Sequence, residues 1–171
     1  MHTLPHTGLQ TPDQPRYEVT SCRELKLRRG TPFQATLSLE GRTIGAAENY
    51  GDGDATEFVP HGDFPPADFA QFADACRLDR QPVSLSLLLD LLIEEFNISR
   101  SLRAQALHGR TLLREVAPDG ATTISGTITM PTNLDDRRRV REVLGLPLTP
   151  GAATQFWNGS HWEHLAGGAE H

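Results

Sequence analysis

From Tyr17 to Glu40, apolar and polar residues alternate in stretches with a period of two. Tyr17 and Val19 open the alternation, and Leu25 and Leu27 stand among Glu24, Lys26 and Arg28. After Gly30 and Pro32 comes the clearest run, in which Phe33, Ala35, Leu37 and Leu39 alternate with Gln34, Thr36, Ser38 and Glu40. A period of two sends one set of side chains to a core and the other to water, so these segments predict half-buried strands. Glu40-Gly41 supplies a tight turn into a strand over 42–47, and 56–59 predicts another.

The period then lengthens. Phe69, Phe72, Ala73 and Cys76 recur at helical spacing, behind Asp63-Phe64-Pro65-Pro66, which offers a capping acceptor and first-turn prolines. Cys76 falls on the apolar stripe and reads as a buried structural thiol. Pro82 and Ser84 introduce a second helix with a stripe of Leu85, Leu88, Leu89, Leu92 and Phe96. Leu87, Leu91, Ile93 and Ile98 widen that stripe almost all round, which predicts a core helix or a subunit interface and, with it, a homo-oligomer, most simply a dimer. A break over 97–101 separates it from a further helical stretch at 102–107.

A hairpin follows, from 112–116 through the turn Pro118-Asp119-Gly120 to 122–130, with Ile124, Gly126, Ile128 and Met130 on one face. Thr132 is placed to cap a third helix whose apolar side is Leu134, Val140, Val143 and Leu144, closed by Gly145. Phe156-Trp157-Asn158-Gly159-Ser160-His161-Trp162 sets an Asn-Gly turn between aromatics. The predicted class is α+β: an antiparallel sheet from the N-terminal and central hairpins packed against two to four helices, with a short C-terminal aromatic hairpin. Residues 1–15 read as a flexible lead-in, 16–165 as one domain and 166–171 as a flexible tail.

With 171 residues, the chain is long enough to bury a core without staples. No apolar run is long enough for a membrane span, and residues 1–15 do not resemble a secretory signal, so the cytoplasm is the expected location. Cys22 and Cys76 are too few for a disulfide framework or a cysteine zinc site. Lys+Arg number 16 against 22 Asp+Glu, a net charge of −6. That sign argues against nonspecific binding to DNA, which needs clustered cations.

Charge is unevenly placed, however. Arg100, Arg103, Arg110 and Arg114 occupy a stretch without acids, and Arg137, Arg138, Arg139 and Arg141 follow on the third helix. If these surfaces abut, they would grip nucleic acid or an acidic protein. The alternative is a solvated face paired with Asp135, Asp136 and Glu142. Acids concentrate in the loop Asn49-Tyr50-Gly51-Asp52-Gly53-Asp54-Ala55-Thr56-Glu57. Asn49, Asp52, Asp54 and Glu57 suit a structural or binding loop, a cation site of hard oxygen donors, or a catalytic carboxylate pair. The loop lacks EF-hand spacing, and no P-loop, Rossmann, nucleophile-elbow or His-Glu-x-x-His motif occurs, so no metal or cofactor is assigned. His61, His161 and His164 read as solvent-exposed.

The strand-turn-strand that runs into Ala47-Glu48-Asn49-Tyr50-Gly51-Asp52-Gly53-Asp54 resembles small uncharacterised proteins of phage and mobile-element type. A leucine-rich helix with paired acids (88–95) and a basic stretch leading into a Thr-Leu strand (103–113) extend the resemblance over about residues 33–115. Asp54 stands where a second glycine is usual. The resemblance implies an accessory role in a mobile-element or defence-related setting and carries over no functional residue. Two functions therefore stand: a non-enzymatic protein docking onto a protein or nucleic acid, or a metal-assisted hydrolase built on Asp52, Asp54 and His61.

Overall fold

The computed structural model describes residues 1–24, 31–51 and 53–165. The alternation at Leu25 and Leu27, residue Asp52 and the 166–171 tail lie outside them. The class is α+β, and each sheet is antiparallel. The chain divides into two compact units, Met1–Ser99 and Arg100–His171.

The first unit opens with β1 (His2–Thr3) and β2 (Gln10–Thr11), followed by β3 (Tyr17–Glu24), β4 (Phe33–Leu39), β5 (Arg42–Asn49) and β6 (Glu57–Pro60). Helix α1 (Pro66–Ala75), β7 (Arg77–Leu78), β8 (Gln81–Pro82) and α2 (Leu85–Ala106) come next, α2 running past the boundary into the second unit. One sheet has the order β3-β4-β5-β6 and a smaller one the order β1-β2-β7-β8. Residues 1–15, which show no period, are built into the fold, with Leu9 fully buried. Two-residue strands are too short for an alternation to register, so this segment reads as a lead-in.

Bulges explain where the core pattern departs from strict alternation. Val19 and Cys22 are three apart yet both buried, because the β3–β4 register shifts between Val19 and Ser21. Ile44 and Ala47 share the core in the same way, through a shift opposite Leu37 and Ser38. One extra residue in a strand restores the inward direction. Gly45 leaves room for Phe58: a Cβ there would meet the ring's Cε2 at 2.6 Å. Phe58 lies 4.8 Å from Phe69, and Tyr17 lies 4.3 Å from Phe72, so α1 packs on this sheet through aromatics. Each such ring contributes roughly 1.5–3 kcal/mol of burial.

Helix starts differ in detail from the sequence reading. Pro65 is the N-cap of α1 with no side-chain bond, so the Asp63 acceptor is not used. Ser84 does cap α2, its Oγ accepting from Leu87 N at 3.2 Å. Helix α2 is continuous over 22 residues, with no break at 97–101. Nothing in that stretch is Gly or Pro, and isolated polar residues do not interrupt a helical ladder. Leu88, Leu89 and Leu92 lie in the first unit's core.

The second unit holds β9 (Arg110–Val116), β10 (Thr122–Thr129), α3 (Leu134–Leu144), β11 (Ala153–Trp157) and β12 (Trp162–His164), in the sheet order β10-β9-β11-β12. The aromatic hairpin β11–β12 therefore extends this sheet, and Trp157 pairs with Trp162. A bulge between Ile124 and Gly126 reverses facing along β10. Gly126 pairs with Leu113 and Ile124 with Arg114, so Ile124 leaves the face that holds Ile128 and is exposed, contrary to the uniform alternation expected. Asn133, one residue past the expected Thr132, caps α3. Gly145 closes the helix in the left-handed conformation at φ 62°.

Candidate functional site

The acidic loop is held from within. Asn49 Oδ1 accepts from Gly51 N at 2.8 Å, while its Nδ2 donates to the Asp54 carbonyl at 2.9 Å. Asn49 also donates to Thr56 Oγ1, and the buried Thr56 hydroxyl donates to Asp90 at 2.5 Å. Gly51, at φ +75°, abuts residues 31–32, where a Cβ would meet Thr31 N at 2.9 Å. Glu48 and Glu57 pair across β5 and β6, a repulsive placement eased by Gln34 and Tyr50, which donate to Glu48. Asp54, Glu57 and His61 are exposed. Among the described residues no three His, Cys, Asp or Glu side chains are grouped as a metal needs. Asp52 is not described.

The arginines divide between the two faces of the second unit's sheet. Arg114 Nε donates to Gln155 at 2.8 Å, and its guanidinium lies 4.2 Å from the Trp162 ring centroid. Arg137 lies on the opposite face, 5.0 Å from the Phe156 ring centroid and 2.6 Å from Glu163 Oε1. Hydrogen bonds from Asn158 and then Arg137 hold the Glu163 carboxyl below its ordinary range. Arg138 lies 3.8 Å from Asp135, and Arg141 donates to the Leu146 carbonyl at 3.3 Å. Arg100 and Arg103 are exposed on the last turns of α2. Arg110 and Arg139 line a common concavity.

That concavity is a groove of about 600 Å³ between β10 and α3. The apolar lining comes from Ile128 and Met130 on the strand and Val140, Val143 and Leu144 on the helix. Val140 packs on the core of Leu113, Ile128 and Phe156, but Val143 is 75% exposed and Leu144 45%. The apolar side predicted for α3 is thus mostly in water. Thr127 to Met130 all line the groove although strand neighbours point to opposite faces, so it runs along the outer edge of β10.

Nothing among the described strands pairs with that edge. Met130 N donates to Gly109 O at 3.0 Å, which makes Gly109 and Met130 a bonded pair. Arg110 and Thr129 are then a non-bonded pair, as are Leu112 and Thr127. The N–H and C=O of Thr127 and Thr129 therefore point outward. Arg110 reaches round to this edge, with Nη2 2.5 Å from Thr127 Oγ1 and 3.4 Å from the Thr127 carbonyl. At the groove's other side Asp136 accepts from the hydroxyl of Thr132 at 2.7 Å and from its N–H at 3.0 Å, bonds that lower its pKa.

Sequence reasoning reached Arg110 but not the groove. The available signal was an apolar α3 stripe beside a Thr/Ile strand, which reads equally well as buried packing. It also passed over two carboxylates that pin loops. Glu95 holds His6 and Thr7, and the buried Glu115 accepts from Leu148 N and Thr149 N. Among the described residues no helix is long and apolar enough to cross a membrane. Comparison with protein-family models, curated proteins and solved structures gives no match.

Proposed function

We propose that the chain is a non-enzymatic binding protein that docks onto a protein partner through the groove between β10 and α3. The observation that carries this reading is Val143 and Leu144 standing in water beside a strand edge that no described strand pairs with. Exposed apolar side chains cost free energy, and open edges invite misassociation, so their coincidence suits a surface that is covered in use. A protein partner is favoured over nucleic acid because Arg114 and Arg137 serve opposite sheet faces and hold neighbours within the unit. The dimer anticipated from α2 is a separate proposal: Leu88, Leu89 and Leu92 are buried inside the chain, while Leu85 and Leu87 of the same helix are exposed. An accessory role in a phage or mobile-element setting, in the cytoplasm, accompanies the proposal on the strength of the residue pattern alone.

Site-specific photo-crosslinking tests it. A benzophenone side chain at position 143 should give a discrete protein adduct in the producing cell, and the same group at exposed Leu107 should not. Adding Leu144→Asp should abolish the adduct. A nuclease-sensitive adduct, or equal adducts from both positions, would overturn the reading.

A further inference from the structure

We propose that the occupant of the groove is an extended protein segment that adds to β10 as a fifth strand, with apolar side chains toward α3 alternating with carboxylates toward Arg110. This rests on the reading that the groove is the docking face. The backbone decides the form of the ligand. Thr127 and Thr129 offer outward N–H and C=O groups two residues apart, and an extended chain presents donors and acceptors at that same repeat.

The two sides of the groove decide its composition. Ile128 and Met130 share a face with Val140, Val143 and Leu144, so every second residue of an added strand meets an apolar wall. The intervening residues meet the face of Thr127, Thr129 and Arg110. Arg110 now leans on the Thr127 carbonyl, one of the groups a new strand needs. A carboxylate on the incoming segment draws that guanidinium away, because a charge-assisted bond outcompetes a neutral one. A segment without an acid leaves Arg110 in place. Arg110 thus guards the edge against indiscriminate pairing and admits acidic strands. Arg139 adds a second cation to the groove, while its one lining carboxylate, Asp136, is already engaged by Thr132.

The test uses the intact protein and a fluorescent, end-blocked peptide with the core Val-Glu-Val-Glu-Val. Its binding should shift the amide resonances of Thr127 and Thr129 and slow their exchange. Replacing Glu by Lys, or reordering the core to Val-Val-Glu-Glu-Val, should weaken binding by about tenfold or more. Val143→Asp should weaken both the Glu and the Lys peptide. Arg110→Ala should instead collapse the Glu-over-Lys preference to near unity, an effect that general loss of structure would not give. Both positions are exposed, so both variants should fold. The proposal fails if the peptide leaves Thr127 and Thr129 unmoved, if residue order is immaterial, or if these amides are already protected in a concentration-dependent dimer. Peptide failure with a surviving crosslink at position 143 rejects strand addition but keeps the docking face. Loss of both rejects both.

Discussion

Glu95 Oε2 accepts from the N–H of Thr7 at 3.0 Å and from its hydroxyl at 3.1 Å, and the N–H of His6 donates to the same oxygen at 3.0 Å. One carboxylate on α2 thereby fixes a segment far away in sequence. Glu95→Ala leaves two backbone donors without their acceptor in a half-buried place, which costs about 1–3 kcal/mol. The expected readout is a lower Tm with faster amide exchange at His6 and Thr7. Unchanged exchange there would mean that the segment is held by Leu9 instead.

The same residue gives a pH signature. Burial pushes the Glu95 carboxyl above its ordinary range, against the lowering pull of the Thr7 and His6 N–H groups. The folded chain therefore takes up this proton before the unfolded chain does, and stability contributed by Glu95 rises as pH falls through the raised folded value. The gain is complete below the unfolded carboxyl value of about 4.3. Relative to Glu95→Gln, the wild type should gain stability between neutral pH and that limit. Paired denaturant titrations check the sign, and a gap that moves the other way refutes it.

In the acidic loop, Asn49 and Asp54 should respond differently. Asn49→Ala removes the acceptor for Gly51 and the donor to the Asp54 carbonyl, and should cost about 1–2 kcal/mol. Asp54→Asn should leave Tm nearly unchanged, with or without millimolar Mn²⁺. A Tm rise of several degrees with Mn²⁺, lost in Asp54→Asn, would restore the metal-hydrolase reading by mass action on the folded state.

Periodicity made the strands β4, β5, β9 and β10 and all three helices legible, because each carries its apolar residues at strand or helix spacing over at least two turns or several alternations. It misplaced Ile124, since a bulge inserts a residue without changing composition. The lead-in was illegible for a different reason: Leu9 and Glu95 are isolated residues that hold it through contacts distant in sequence, which leave no period. The site was half legible. Arg110 was visible as a cation, but its hold on Thr127 follows from cross-strand register, and register is set by pairing rather than by either strand's own pattern.

Cys76 tests the first unit's core. The thiol is fully buried, and burial pushes its pKa up to about 11. At pH 8 it is both protonated and inaccessible, so iodoacetamide should modify it only through unfolding. Mass spectrometry should find Cys76 unlabelled in native protein and labelled in denaturant. Rapid native labelling would place the C-terminal end of α1 in a locally open state.

The cap of α3 determines one wall of the groove, so its disruption should reach function as well as stability. Asn133 Oδ1 accepts from Asp136 N at 2.8 Å, and the Asp136 carboxylate accepts in return from Thr132. Asn133→Ala removes the first bond and should cost about 1 kcal/mol. Thr132→Val removes the hydroxyl that does most to lower the Asp136 pKa. A carboxylate depressed in the folded state stabilises above its unfolded pKa, and that contribution is lost as pH falls through the depressed value. The wild type should therefore keep its α3 stability further into acid than Thr132→Val does. Carboxyl-carbon NMR titration of Asp136 should show its midpoint rising toward the ordinary aspartate value in the variant. An unmoved midpoint would assign the depression to the Thr132 N–H and the positive end of the helix rather than to the hydroxyl.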